Sequence, residues 1–283
     1  MLYGTTLPIT AFPDPAQVRS YAQALESAGF DYVATAGHVM AQPAGTNPQR
    51  PTRQYAGPFY DPFVTFAWLA AATQRLRFMS SILILPSLPT VLVARQVAEL
   101  ALFSGGRFDF GIGISWNAAE YQALGQNFRD RGRRMEEQIE VLRLLWSQPY
   151  VSFDGRWHKL DNVGLNRSAL PNIPLWFGTE NGETALRRVA RLADGWMSLG
   201  DPAEGLSRLQ QYMREVGRDP AQLLVRSPLM AGDGGKAAWI QAGRRLQQMG
   251  VTHINLVAPL ELAPMQGLER IIEVRQALGQ SLG

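Results

Sequence analysis

The chain has 283 residues, 46% of them hydrophobic and 18% charged, an ordinary composition for a soluble globular protein with one barrel-sized domain or two small ones. Cysteine is absent, which excludes disulfides and thiolate metal sites and makes a reducing cytoplasm the default location; no apolar run is long enough to span a bilayer, and the first five residues lack the basic and apolar regions of a signal peptide. The net charge of +3 is spread along the chain without a polybasic tract, which argues against a nucleic-acid partner.

Strand-like and helix-like segments alternate from end to end. Leu2–Leu7 is a short β-prone run, and Pro15–Ala28 reads as a helix closed by Gly29. A strand over Asp31–Thr35 precedes a helix over Asp61–Thr73 with apolar Phe63, Phe66, Ala67 and Ala70. Leu76–Leu85 is apolar enough for a buried parallel strand, followed by a helix over Pro89–Phe103 that Ser104-Gly105-Gly106 stops. Arg107–Ile114 is the fourth strand and Asp130–Trp146 a long amphipathic helix. The second half repeats the order, with strands at Ile173–Phe177, Gly195–Leu199, Leu223–Pro228 and Thr252–Val257. Helices follow them at Glu183–Leu192, Ala203–Val216, Lys236–Met249 and Gln266–Leu278. Eight strands, each followed by a helix, predict a single α/β domain over residues 1–283, a (β/α)8 TIM barrel; an open doubly wound sheet is the alternative.

Two stretches interrupt the alternation. His38–Tyr60, rich in Pro, Gly and Gln, is an insertion after strand 2 on the C-terminal face where barrel active sites lie, and is a candidate lid. Tyr150–Leu165 is a hairpin insertion after helix 4, with Asp154-Gly155 as its turn, and it starts from the opposite face. The cations are almost all arginine, with Lys159 and Lys236 the only lysines. A GC-rich genome is the first explanation of that bias, and anion recognition is the functional alternative.

Several ordered segments resemble the luciferase-like monooxygenase superfamily, particularly its actinobacterial deazaflavin-dependent branch. They are Phe78-Met79-Ser80-Ser81-Ile82-Leu83-Ile84-Leu85-Pro86; Ala94–Leu100 with Ser104–Gly113; Trp116–Tyr121 with Phe128 and Arg131–Arg134; and Pro174–Gly178 with Ala193–Trp196. The resemblance implies a flavin-type coenzyme across the barrel mouth, either coenzyme F420 or FMN. It also implies a bulge at Ser80-Ser81-Ile82 with a non-proline cis bond, by position Ser81–Ile82, bracing the ring. Without it, the two serines read equally as hydrogen-bonding groups within a barrel layer.

Gly178-Thr179-Glu180-Asn181-Gly182 joins a buried strand to a helix start, where free N–H groups and the dipole suit an anion. The resemblance implies that the coenzyme phosphate sits there; the alternative is an ordinary loop with Asn181 as N-cap, and Glu180 is an unfavourable neighbour unless it turns away. His38, after strand 2, is a candidate proton carrier. Family members often carry an acid before this histidine, whereas Gly37 stands here. After strand 4, Trp116 is a candidate pocket wall and Asn117 a candidate ring contact. Glu120 is either an acid/base or the partner of an arginine on the next helix. The sugar-phosphate dehydrogenase branch has an acid near the place of Ile114, which disfavours that activity. Arg50, Arg53 and Arg133 are candidate neighbours of a coenzyme tail or phosphate, and His158 and His253 read as structural or exposed.

Metal ligand spacing, a nucleophile elbow and a dinucleotide glycine fingerprint are all missing. The expected activity is hydride transfer between coenzyme F420 and a small organic substrate. An FMN-dependent monooxygenase is the rival, and a non-catalytic coenzyme-binding barrel a third reading, motivated by Gly37 and Ile114. A homodimer is the expected assembly.

Overall fold

The computed structural model describes residues 1–12, 14–40, 59–166 and 169–282. Its strands are β1 (Leu2–Thr6), β2 (Tyr32–Gly37), β3 (Arg77–Ile84), β4 (Phe108–Gly113), β5 (Val151–Asp154), β6 (Lys159–Val163), β7 (Leu175–Thr179), β8 (Gly195–Ser198), β9 (Leu224–Met230) and β10 (His253–Val257). The helices are α1 (Pro15–Ser27), α2 (Pro62–Ala72), α3 (Thr90–Phe103), α4 (Ala118–Ala123), α5 (Arg131–Ser147), α6 (Glu183–Leu192), α7 (Ala203–Glu215), α8 (Gly235–Gln248) and α9 (Pro264–Leu282). The barrel order is β1-β10-β9-β8-β7-β4-β3-β2. β1 pairs in parallel with both β2 and β10, so the sheet closes and the open alternative is excluded. Short α4 was not read from the sequence.

Local chemistry sets the element ends. The Asp14 and Asp61 carboxylates accept backbone N–H groups at the starts of α1 and α2, each followed by proline in the first turn. Gly105 and Gly106 stop α3 at φ 65° and 80°, a region that L side chains avoid. Along the strands the burial splits by parity. Val33 and Phe78 join the large core between barrel and helices, while Tyr32, Ala34, Met79, Trp176 and Met197 form a small cluster inside the barrel. Phe66, Phe78 and Phe108 pack ring to ring in the outer core, each burial stabilising by roughly 2–3 kcal/mol.

The hairpin β5–β6 turns through residues 155–158 rather than at Asp154-Gly155 alone, with Asp154 opposite Lys159. The Glu137 carboxylate of α5 accepts the backbone N–H groups of Arg156, Trp157 and His158 and meets His158 Nδ1 at 2.8 Å. A Cβ on Gly155 would lie 2.6 Å from that carboxylate, so glycine is there for close approach. His158 Nε2 also meets Thr90 Oγ1 at 2.5 Å. The tip therefore reaches the first turns of α3 and α5, and the hairpin returns to the mouth side of the barrel. Of the insertion after β2, residues 41–58 lie outside the described residues, and with them Arg50, Arg53 and most of the expected lid. Among the described residues, no helix is long and apolar enough to cross a membrane.

Candidate active site

The C-terminal ends of the eight parallel barrel strands open on one mouth, and four of these ends carry the sequence's candidate residues. At the end of β2, a Cβ on Gly37 would come within 2.9 Å of the Leu83 side chain and 3.1 Å of its Cα. That crowding leaves no room for an acid at 37. The carboxylate beside His38 comes instead from α4: Glu120 Oε2 lies 2.9 Å from His38 Nδ1, with side chains 0% and 10% exposed. Glu120 Oε1 accepts the Val39 N–H at 2.6 Å and the Met40 N–H at 3.4 Å. An ionised carboxylate can only accept, so Nδ1 carries the proton and the ring is held in one orientation by its partner. Of the two readings of Glu120, the one with an arginine partner gives way to this histidine.

The end of β3 is irregular. Register shifts on both sides of Ser80–Ile82, and the Ser81–Ile82 bond is cis, as the resemblance implied. Ser80 Oγ donates to the Gly111 carbonyl and accepts the Gly111 N–H, both at 2.8 Å, so this buried hydroxyl fills the gap that the bulge opens in the ladder. Ser81 and Ile82 are half-buried. Ile82 lies against Gly113 and Gly178, where added Cβ atoms would stand 2.9 and 2.4 Å from its side chain. Gly178 is thus needed for Ile82 packing.

After β4 the chain turns sharply at Ser115 (φ 53°), and Asn117 caps α4 by accepting the Ala119 and Glu120 N–H groups at 3.2 and 3.4 Å. Asn117 Oδ1 is therefore committed to aiming Glu120. Trp116 is half-buried on the same turn, and Tyr121 donates to the Ile114 carbonyl at 2.7 Å.

Between β7 and α6, the N-cap is Gly182 rather than Asn181, and no side chain caps the helix. Its first N–H groups keep their anion-binding character. Thr179 and Asn181 are half-buried and Glu180 is exposed. Arg208 of α7 donates to the Asn181 carbonyl, which puts a guanidinium beside this loop. Arg133 is exposed in the first turns of α5.

Two arginines were missed. Arg208 follows a helical pattern with no local mark. Arg226 sits in β9 at an inward-facing position, and a charged residue in the middle of Leu224-Val225-Arg226-Ser227-Pro228 was the available signal. It donates to Ser81 Oγ at 3.1 Å, to Tyr32 Oη at 3.3 Å and to Asn255 Oδ1 at 2.6 Å. His253 is buried against Trp176 and Tyr32. Burial, and then the nearby Arg226 and Arg77, push it down to about 4, so it is neutral and structural. His158 is structural too, held between Glu137 and Thr90.

A sequence model described as "Luciferase-like monooxygenase" matches residues 2–271. Over 262 residues the chain is 29% identical to an F420-dependent hydroxymycolic acid dehydrogenase of Mycobacterium tuberculosis, covering 89% of this chain and 69% of that protein. Over 192 residues it is 32% identical to an FMNH(2)-dependent dimethylsulfone monooxygenase of Pseudomonas fluorescens, covering 66% and 49%. An F420-dependent secondary alcohol dehydrogenase, solved with an F420-acetone adduct, superposes with a TM-score of 0.79 at 17% identity, covering 98% of both chains.

Proposed function

This chain belongs to the luciferase-like monooxygenase family, and from that premise we propose that it is an oxidoreductase passing hydride between coenzyme F420 and a small organic substrate. The observation that carries the reading is the His38–Glu120 pair beside the bulge at the barrel mouth. A carbon–oxygen centre that gains or loses hydride must gain or lose a proton at oxygen, and a carboxylate-oriented histidine is suited to that exchange. Two relatives named as F420-dependent dehydrogenases support the choice of coenzyme and point to an alcohol or carbonyl substrate.

The residues present fit a flavin-type group. The buried hydroxyl of Ser80 holds the bulge, while Ser81 and Ile82 offer a floor for a flat ring. Trp116 walls one side. The uncapped start of α6, with Thr179, Glu180 and Asn181 before it and Arg208 beside it, offers N–H groups and a positive charge to a phosphate. Arg133 stands on the rim for an anionic tail. When bound, the coenzyme supplies the hydride chemistry. The protein holds the ring, keeps water from it, and moves a proton at His38 while Glu120 fixes the imidazole. With Glu120 supplying the second acid, Gly37 no longer argues for a non-catalytic barrel. Cytoplasmic residence and a homodimer belong to the same proposal.

The 32% identity to an FMNH(2)-dependent monooxygenase favours a second reading, in which FMN is the coenzyme. Parallel titration of the apo-protein with both coenzymes separates the two. F420 is expected to bind more tightly; tight FMN binding without F420 binding overturns the first reading and installs the second.

A further inference from the structure

Arg226 is buried, with 7% of its surface exposed, and its guanidinium reaches three acceptors that are all neutral: Ser81 Oγ, Tyr32 Oη and Asn255 Oδ1. Asn255 in turn donates to Thr6 Oγ1 at 3.5 Å, so the network crosses the barrel from β1 to β3 beneath the mouth. No carboxylate among the described residues pairs with it. Of the two carboxylates whose charge reaches Tyr32, Asp109 is paired with Arg77, which donates to both its oxygens at 3.0 Å, and Asp31 accepts the Tyr3 backbone N–H at 2.7 Å. Tyr32 and His253, the titratable neighbours from β2 and β10, add no negative charge: burial raises the Tyr32 phenol and depresses the His253 imidazole. An arginine cannot shed its proton to escape this situation. A buried cation without a directly paired counter-charge is costly in a folded protein, and such groups collect where a ligand completes them.

What lies above Arg226 is Ser81, at the bulge where the proposed function puts the coenzyme ring. Ser81 accepts a hydrogen bond from the guanidinium, so its own hydrogen is turned elsewhere and is available to an acceptor on the ring edge. The oxidised ring of FMN is neutral, and that of the deazaflavin, with its acidic ring hydroxyl, spreads a negative charge from the distant phenolic end across the whole chromophore. The reduced ring loses a proton from its pyrimidine portion and becomes an anion, with its charge spread over the carbonyl edge. A fixed cation one side chain below distinguishes the two, because negative charge is concentrated over the carbonyl edge in the reduced form alone, where the low-dielectric barrel strengthens the Coulomb attraction.

We propose that Arg226 is a positioning cation that, through Ser81, favours the reduced anionic coenzyme over the oxidised one and so sets the redox balance of the site. This inference rests on the coenzyme reading above. The test measures dissociation constants at pH 8 for oxidised and chemically reduced coenzyme F420, and for FMN in both forms. It uses the wild type, Arg226→Met, Arg226→Lys and Ser81→Ala, with circular dichroism and thermal melts on each. Arg226→Met is expected to weaken reduced coenzyme about tenfold more than oxidised, which lowers the midpoint potential of the bound two-electron couple by about 30 mV. Arg226→Lys is expected to restore most of the difference and Ser81→Ala to lose part of it. Equal weakening of both forms, or an unchanged ratio in folded Arg226→Met, overturns the proposal and leaves the coenzyme reading standing. If Arg226→Met does not fold, Ser81→Ala decides, and an unchanged ratio there overturns it. A wild type that binds neither coenzyme overturns both.

Discussion

Glu120 takes three hydrogen bonds, from an imidazole and two backbone amides, at a position fully out of water. Glu120→Gln puts an NH2 donor among groups that themselves donate, so the imidazole loses its orientation with little change in shape. Turnover is expected to fall by roughly 10²–10⁴-fold, with coenzyme affinity nearly intact and the pH profile of kcat displaced. An unchanged kcat would remove the pair from the chemistry. His253 tests a different residue-scale effect. Its folded value of about 4 lies below the ordinary 6.5, so between these limits the unfolded chain binds a proton that the folded chain refuses. Stability is therefore present above pH 6.5, falls as the pH drops through that window, and levels off below about 4. The loss is about 3 kcal/mol. Urea midpoints between pH 7 and 4 are expected to show this fall in the wild type and a shallower one in His253→Gln.

At the scale of elements, loops and caps divide the work. The start of α6 has free N–H groups and Arg208 beside it, so the loop's contribution is read best by comparing ligands that differ only in phosphate. FMN against riboflavin makes such a pair. Arg208→Ala is expected to reduce the preference for the phosphorylated member about tenfold, the order of one charge-assisted hydrogen bond, while leaving riboflavin affinity unchanged. Gly178 is a poor probe of the same loop, since even a methyl group there would stand 2.4 Å from Ile82 and disturb the ring floor. The hairpin offers a control that touches neither the His38–Glu120 pair nor the β7–α6 loop. Gly155→Ala places a methyl against Glu137 and is expected to cost about 1–3 kcal/mol, seen as a lower Tm with the His38–Glu120 chemistry unaffected.

At the scale of the whole molecule, closure through β1 and β10 makes the barrel one cooperative unit, because the first strand and the last share a ladder. Its outer surface is uneven. α2, Pro-Phe-Val-Thr-Phe-Ala-Trp-Leu-Ala-Ala-Ala, has no charged face, and Val64 remains 71% exposed beside half-exposed Trp68. Neighbouring α3 exposes Val91 and Leu92. A helix apolar on all sides is normally covered, and a second copy of the chain is the cover expected for these two helices. Sedimentation of the wild type is expected to give a dimer, and Val64→Glu with Trp68→Glu a monomer. A monomeric wild type would end the homodimer expectation.

The alternation of strand and helix, the helix stops at Gly29 and Gly105-Gly106, and the odd serines in β3 were legible in the chain itself. Each depends on backbone sterics or on hydrophobic period within a dozen residues. The cis bond at Ser81–Ile82 was legible only through family resemblance. What the tertiary structure decided is which distant groups meet. Glu120 looked as suited to an arginine on the next helix as to catalysis, and only the turn at Ser115 with the Asn117 cap aims it at His38. Gly37 looked like the loss of an acid, until the bulge in β3 occupied the space that an acid needs. Arg226 was one arginine among many, because a lone charge in a strand has no sequence partner to reveal it. Strand pairing around a closed barrel brings it under Ser81, and no local pattern encodes that meeting, since it depends on the register of eight strands at once.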